Sequence, residues 1–451
     1  MVFYELVPGS GPPQPKGRAK RSGRVEPDPV LRFANVSGMI LRAARVWDGV
    51  AEAPIQDGFV RVDGGRVTGV GPWVTPRDSA TETNTAGPVV DCGDATLLPG
   101  LINSHVHLTL SASETPVDDY LAERNNGLDA LTARAVHNLQ AALSAGVTTV
   151  RDCGTLNEVA FPVRAAVEDG RLIAPRVVTC GSGLTTTRGH CHFFSIEVDT
   201  VAGLRAAVAD QARAGADFIK VFATGGRLTP GTDPFSPQYD TDQLRAVVHA
   251  AHDAGLRVAA HAHAPEGIAN AVAAGVDTIE HCFFDTADGI AYDERTVEKI
   301  AEQGILVCPT AGQTRITDEL LLANPVARRF LSLLPEMRAN FHRMFDAGVV
   351  LAAGSDAGIN IYRPFSGYPQ DVGAMADATA FPVGLSTIDA LRSATSVAAG
   401  ACGLKDVGRL GPGMHADLLA VQGNPLACIT DLERVRLVVR GGRIAVGPSP
   451  S

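Results

Sequence analysis

Short apolar runs separated by helix-like segments recur through the middle of the chain. Residues 98–108 are largely apolar and close on His105-Val106-His107. Residues 216–222 carry Lys220 near their end, and the run at 256–261 ends on His261. Residues 276–281 end on His281, and residues 349–356 end on Asp356. Between these runs, residues 242–254 place apolar side chains on one face, and residues 266–274 form a second helix-like stretch before a glycine. Strands alternating with helices predict a parallel α/β fold. This many units predicts closure into a (β/α)8 TIM barrel, which gathers its reactive groups at the C-terminal ends of its strands.

The polar residues at those ends suggest a metal site. In a strand, residues two apart point the same way, so His105 and His107 can both face one ion. Imidazole is a common ligand for Zn²⁺ and similar ions at neutral pH. His-x-His alone is weak evidence, because it also occurs in solvated strands. The later strand ends add Lys220, His261, His281 and Asp356 to the same cluster.

Several stretches are recognisable as a set. They are Pro-Gly-Leu-Ile-Asn-Ser-His-Val-His-Leu (99–108), Gly-Val-Thr-Thr-Val-Arg-Asp (146–152), Gly-Ala-Asp-Phe-Ile-Lys (215–220), Ala-His-Ala-His (260–263), Ile-Glu-His (279–281), Ala-Gly-Ser-Asp-Ala-Gly (353–358) and Gly-Met-His-Ala-Asp-Leu (413–418). From about residue 39 to 446 the chain resembles the amidohydrolase superfamily, most closely its imidazolonepropionase-like and prolidase-like branch. One departure is Asn103, where the family usually has Asp, at a position that is not a usual ligand.

The resemblance implies the roles. His105, His107 and Asp356 would hold one divalent ion, and His261 and His281 a second. Lys220, carboxylated at Nζ by CO₂, would bridge ions roughly 3.5–4 Å apart. Zn is the first expectation for both, with Fe, Co or Mn as alternatives. Asp356 would be the general base. His190 matches the family's Gly-Gly-His motif and would donate to the substrate carbonyl or carboxylate, with His192 in support. His263, two residues beyond His261, would orient ligands or substrate. His137, His249, His252 and His342 fall in helical patterns and read as solvated or packing residues.

Substrate class is the thinnest inference. Arg188, Arg227 and Tyr239 are candidates to hold a substrate carboxylate. Phe193, Phe194, Phe222, Phe283 and Phe284 cluster beside the site motifs of a chain with only 5% aromatic residues, which suggests an apolar pocket. Phe194 and Phe284 are the pocket residues chosen. The branch includes hydrolases of phenylureas, thiocarbamates and N-acyl amino acids as well as Xaa-Pro and Xaa-Arg dipeptidases. The expected reaction is hydrolysis of an amide, urea or carbamate C–N bond in a small apolar or aromatic substrate, such as a phenylurea. A dipeptidase or cyclic amide hydrolase is the alternative, and a non-catalytic ligand-binding barrel lies outside the class.

Length and charge trim the remaining options. At 451 residues, a barrel of roughly 250–300 residues leaves room for a small second domain. Residues 38–96 and 403–451 are expected to form it as a β-sandwich built from both termini, around a barrel at 97–402. Short strands are expected at 40–46, 58–62, 66–70, 89–91, 416–421 and 435–446. Residues 1–37 carry a Pro/Gly-rich stretch and a basic run without an apolar core, which predicts a mobile or appended tail rather than a signal peptide. A net charge of −10 argues against a nucleic-acid surface. No run approaches the 18 or more apolar residues of a membrane span. The eight cysteines include no Cys-x-x-Cys, so reduced thiols are expected, with Cys191 and Cys282 as packing residues. The expectation is a cytoplasmic homo-oligomer acting on a small molecule, with no nucleic-acid or membrane partner.

Overall fold

A computed structural model describes residues 38–74, 87–312, 325–376 and 383–447. The expected tail at 1–37 lies outside the described residues. The fold is mixed α/β, with one largely antiparallel sheet drawn from both ends of the chain and parallel strands between them.

The terminal sheet runs in the order Arg443–Val446, Val435–Arg440, Leu418–Gln422, Ala95–Pro99, Met39–Val46, Ile55–Asp63, Arg66–Pro72, with Val89–Asp91 beside Met39–Val46. Alternation explains it: Gly58, Val60 and Val62 are buried while the residues between them are not. Leu41, Val60, Val62, Leu97, Leu418 and Val439 meet in one apolar core. Gly64-Gly65 and Gly441-Gly442 adopt left-handed φ and close two hairpins whose two-residue loops need that conformation. The two halves expected as a sandwich join edge to edge here. Ala95–Pro99 pairs with Met39–Val46 on one side and with Leu418–Gln422 on the other. The long run around 98–108 is therefore two strands, and its first part belongs to the terminal sheet.

Leu101–Val106, Val147–Asp152 and Arg176–Thr179 form a three-stranded parallel sheet. A six-stranded parallel sheet follows the order Ile196–Glu197, Leu184–Thr185, Phe218–Phe222, Arg257–Ala262, Thr278–His281, Leu306–Cys308. Helices such as Leu128–Ser144, Val201–Ala214, Thr241–Asp253 and Pro265–Ala274 alternate with these strands. Leu101–Val106, Val147–Asp152 and Phe218–Phe222 are buried throughout, as strands covered on both faces must be. The ladders do not form one closed barrel among the described residues. Between the two sheets lie the Asp217 N–H donating to Thr179 O at 2.9 Å and the parallel bridges Val307↔Leu351 and Val106↔Ala357. No helix among the described residues is long and apolar enough to cross a membrane.

Candidate metal centre

His105 is the fifth residue of Leu101–Val106, and His107 lies just beyond it. Lys220 is the third of five residues in Phe218–Phe222, so it sits deeper than a strand-end position. His261 is the fifth of Arg257–Ala262, and His281 ends Thr278–His281. Strict alternation would turn His281 away from Glu280 and from His261, which is in register with Glu280. A φ of 71° at His281 breaks the alternation, and its ring comes within 4.6 Å of the His261 ring. Asp356 is also left-handed, at φ 58°. The glycines on either side of it leave room for close packing. A side chain at Gly354 would meet His105 Cβ at 2.9 Å, and one at Gly358 would meet His107 O at 2.8 Å. They let the aspartate loop close onto the His-x-His strand.

The six ligand candidates are buried. Asp356 Oδ1 lies 3.4 Å from His105 Nε2 and 3.3 Å from His107 Nε2. The partners of the opposite ring nitrogens assign the tautomers. His105 Nδ1 is 2.7 Å from Glu280 Oε2, and His107 Nδ1 is 3.5 Å from Gly154 O. Both partners accept only, so each Nε2 is left with its lone pair toward Asp356. His261 is reversed: Nε2 faces Gly225 O at 3.2 Å and leaves Nδ1 for a ligand. His281 Nδ1 lies 2.9 Å from Thr310 Oγ1. Burial, reinforced by Lys220, lowers the His105 pKa to about 4. Burial and neighbouring histidines hold His261 and His281 well below the usual range. Neutral imidazoles are the form that binds metal. Burial would raise the Asp356 carboxyl, but His105, His107 and Arg363 outweigh it and hold it below the usual carboxylate range.

Lys220 Nζ is buried and has no hydrogen-bond partner. An ammonium group so placed is costly, and the surrounding donor set fits cations that this arrangement could hold. His105, His281 and Asp356 bring ligand atoms within 4.8 Å of one another. His261, His263 and His281 do so too. The His263 and His281 rings, however, are stacked at 14° between planes, and lone pairs in near-parallel planes do not converge on one ion. The two rings therefore do not serve one ion together. A third grouping, His105, Glu280 and Cys308, is already engaged by the Glu280–His105 hydrogen bond.

Other expected residues divide. His190 joins the cluster, its ring 4.7 Å from His261 and its buried Nδ1 without a partner. His192 does not, since its Nδ1 faces Gly189 O at 3.1 Å and its ring lies 6.0 Å from Phe193. Phe194 lies 5.5 Å from the His107 ring. Phe284 is turned to Tyr292, while the Phe283 ring lies 5.1 Å from the His263 ring, tilted at 42°. Left-handed φ at Cys282 and Phe284 explains this exchange. The Tyr239 hydroxyl donates to Val198 O at 2.7 Å, so it ties a loop instead of facing the cluster. Arg188 is exposed, and its backbone N–H donates to Glu197. Arg227 pairs with buried Asp285. All eight cysteines are free, and burial raises the Cys191 and Cys282 thiols, as packing residues require. His137, His249, His252 and His342 are exposed on helices. Glu280, Arg151 and Thr310 hold candidate ligand histidines or their partners and were not among the expected site residues.

The model of the amidohydrolase family matches residues 96–445. The chain belongs to that family. Amidohydrolases generally use metal ions, and this one is an enzyme that hydrolyses C–N bonds. The chain is 28% identical over 390 residues to the ochratoxinase of Aspergillus niger, covering 78% of this chain and 76% of that one. A crystal structure of a Xaa-Pro dipeptidase with bound methionine superposes with a TM-score of 0.78 at 28% identity, covering 91% of this chain and all of the other. Phenylurea hydrolase B superposes with a TM-score of 0.74 over 91% of this chain and 97% of its own, and at 20% identity it shares the fold.

Proposed function

We propose that this amidohydrolase uses two divalent ions to hydrolyse an amide, urea or carbamate bond in a small substrate carrying an apolar or aromatic group. His105, His107 and Asp356 would hold one ion, and His261 and His281 the other. Lys220, carboxylated at Nζ with release of a proton, would lie between them. The observation that carries this reading is the buried, unpartnered Lys220 amine among imidazoles whose tautomers leave lone pairs free. Bound there, the ions would polarise the scissile carbonyl and lower the pKa of a water molecule. Zn fits an imidazole-rich set, with Fe, Co or Mn as alternatives. The two parallel sheets, with the bridges between them, support closure as a TIM barrel around this centre.

Asp356 would take the proton of the attacking water and pass it to the leaving nitrogen. His190 would donate to the substrate carbonyl. Phe194, Phe222 and Phe283, whose rings lie 5.1–5.6 Å from site imidazoles, would pack the apolar group. Burying such a group contributes about 25 cal/mol per Å². Dipeptide hydrolysis is the second reading, supported by the likeness to the Xaa-Pro dipeptidase. Arg227 would then have to leave Asp285, at least in part, to meet a carboxylate.

Elemental analysis of protein prepared with metal and bicarbonate tests the centre, with two ions per chain expected. A firm stoichiometry of one with unmodified Lys220 rejects the bridged pair. Comparing kcat/KM for an N-aryl urea and a Xaa-Pro dipeptide on that preparation tests the substrate class. Faster cleavage of the dipeptide selects the second reading.

A further inference from the structure

Arg151 lies in the middle of the protein, in the fully buried strand Val147–Asp152. Its Nε donates to Ser104 O at 2.6 Å, and its Nη1 to Thr278 Oγ1 and Ala401 O, each at 3.2 Å. Its Nη2 donates to Glu280 Oε1 at 2.6 Å. The Thr278 hydroxyl donates to the same oxygen at 2.9 Å. Glu280 Oε2 is left to accept from His105 Nδ1 at 2.7 Å. Arginine, glutamate and histidine therefore form an unbroken buried line, with side-chain exposures of 2%, 0% and 1%.

Taking two charges out of water is expensive, and apolar residues of similar size are often as stable or more so. A pair retained at that cost calls for a use other than stability. The geometry of the other ligand histidines points to one. His107 and His261 face backbone carbonyls, and His281 faces a threonine hydroxyl. Among the four proposed ligand histidines, His105 alone meets a charged partner at the ring nitrogen turned away from the proposed ion, and hydrogen bonds to ionised groups are shorter and stronger than neutral ones. The partner is itself clamped by a second charge on its other oxygen, so the ring cannot turn without breaking the line.

We infer that Arg151 and Glu280 are positioning residues that lock His105 as an Nε2 ligand, making the ion at His105, His107 and Asp356 the more tightly held of the two. The inference rests on the two-ion reading above. A carboxylate behind a ligand histidine fixes ring and tautomer, and losing such a partner typically costs about 10–100-fold in metal affinity.

The test is Co²⁺ binding to the full chain, measured by chelator competition and by the visible spectrum, in the parent and in Glu280→Gln. The expected result is a loss of about 10–100-fold for the tighter ion, with a shifted Co²⁺ band. The weaker ion should stay within about twofold, and the circular dichroism should match the parent. Equal affinities in parent and variant overturn the inference, as does an equal loss at both sites, which would mean general loosening. If Glu280→Gln does not fold, Arg151→Lys keeps a cation beside Glu280 but loses the fork, and the same selective loss is expected from it. Unchanged binding in that variant overturns the inference equally. A parent that binds no metal would instead reject the two-ion reading.

Discussion

In the terminal sheet, Leu41, Val60, Val62, Leu97, Leu418 and Val439 fill a single apolar core, and glycine pairs carry the left-handed turns. In and just beyond the parallel strands the buried residues include histidines, Lys220 and Asp356. Several atoms there have no hydrogen-bond partner, among them Lys220 Nζ, His190 Nδ1 and His263 Nδ1. Left-handed φ falls on His281, Cys282, Phe284, Thr310 and Asp356, none of them glycine. Such conformations cost of order 1–3 kcal/mol each and persist only where the surroundings over-determine them. One region buries mainly apolar side chains and supplies stability. The other holds groups in unfavourable states, and the core around it carries the cost. Mutations should separate the two roles cleanly.

The largest separation is expected at Asp356. Asp356→Asn removes the proposed base and proposed metal ligand together, and kcat/KM should fall by about 10²–10⁴. The urea midpoint of the metal-free protein should fall modestly while the fold is retained, because the neighbours that hold the carboxylate ionised outweigh its burial. Activity within about tenfold of the parent would remove Asp356 from the chemistry.

The converse belongs to Leu418, fully buried in the terminal sheet beside Leu97 and Val439. Leu418→Ala should cost about 2–5 kcal/mol of stability. Measured per folded molecule, kcat/KM should stay within about twofold, since the cavity lies outside the strand ends. A matching loss of activity in fully folded protein would show that the sheet tunes the site and does more than carry it.

Acid should expose the strain of the site before that of the sheet. Burial lowers His105 to about 4 and His190 to about 3, and holds His261, His263 and His281 well below the usual value. Unfolded, each takes up a proton near pH 6.5. Below that value the unfolded chain binds more protons than the native one, so stability falls as pH drops from about 6.5 toward 4. The metal-free protein should show this in its Tm against pH. A flat profile down to pH 5 would mean that the imidazoles are protonated in the native state, contrary to the ligand assignment.

How much of this was legible depended on whether the partner lay near in sequence. His105, His107, His261, His281 and Asp356 each close an apolar run, so period and residue type together reveal them. Glu280 stands in the Ile-Glu-His stretch, but its partner Arg151 is 129 residues away. A signal for Arg151 did exist: an arginine inside a strand buried on both faces must be paired. Phe283 lies nearer the histidines than the expected Phe284, because clustering in sequence does not say which way each ring faces and left-handed φ at Cys282 and Phe284 is invisible in the residue names. The parallel α/β character of the middle of the chain follows from the number of strand–helix units, whereas the joining of the terminal strands edge to edge depended on pairing at Ala95–Pro99. Nothing in an apolar run marks where one sheet ends and the next begins.

The smallest effect is expected at Tyr239, a residue whose type suggests a substrate contact and whose hydroxyl is used elsewhere. It donates to Val198 O at 2.7 Å, and the ring is buried. That bond ties the loop after Phe218–Phe222 to the segment before the helix Val201–Ala214, well within the scaffold. Tyr239→Phe keeps the ring and removes one donor, leaving Val198 O to find another. The expected cost is about 1 kcal/mol of stability, with kcat/KM within about threefold for both the aryl urea and the dipeptide, because no substrate hydrogen bond is lost. A drop of about a hundredfold or more in kcat/KM for the dipeptide alone, with stability unchanged, would place the hydroxyl on a substrate carboxylate. Tyr239 would then be a substrate contact and not a tie within the scaffold.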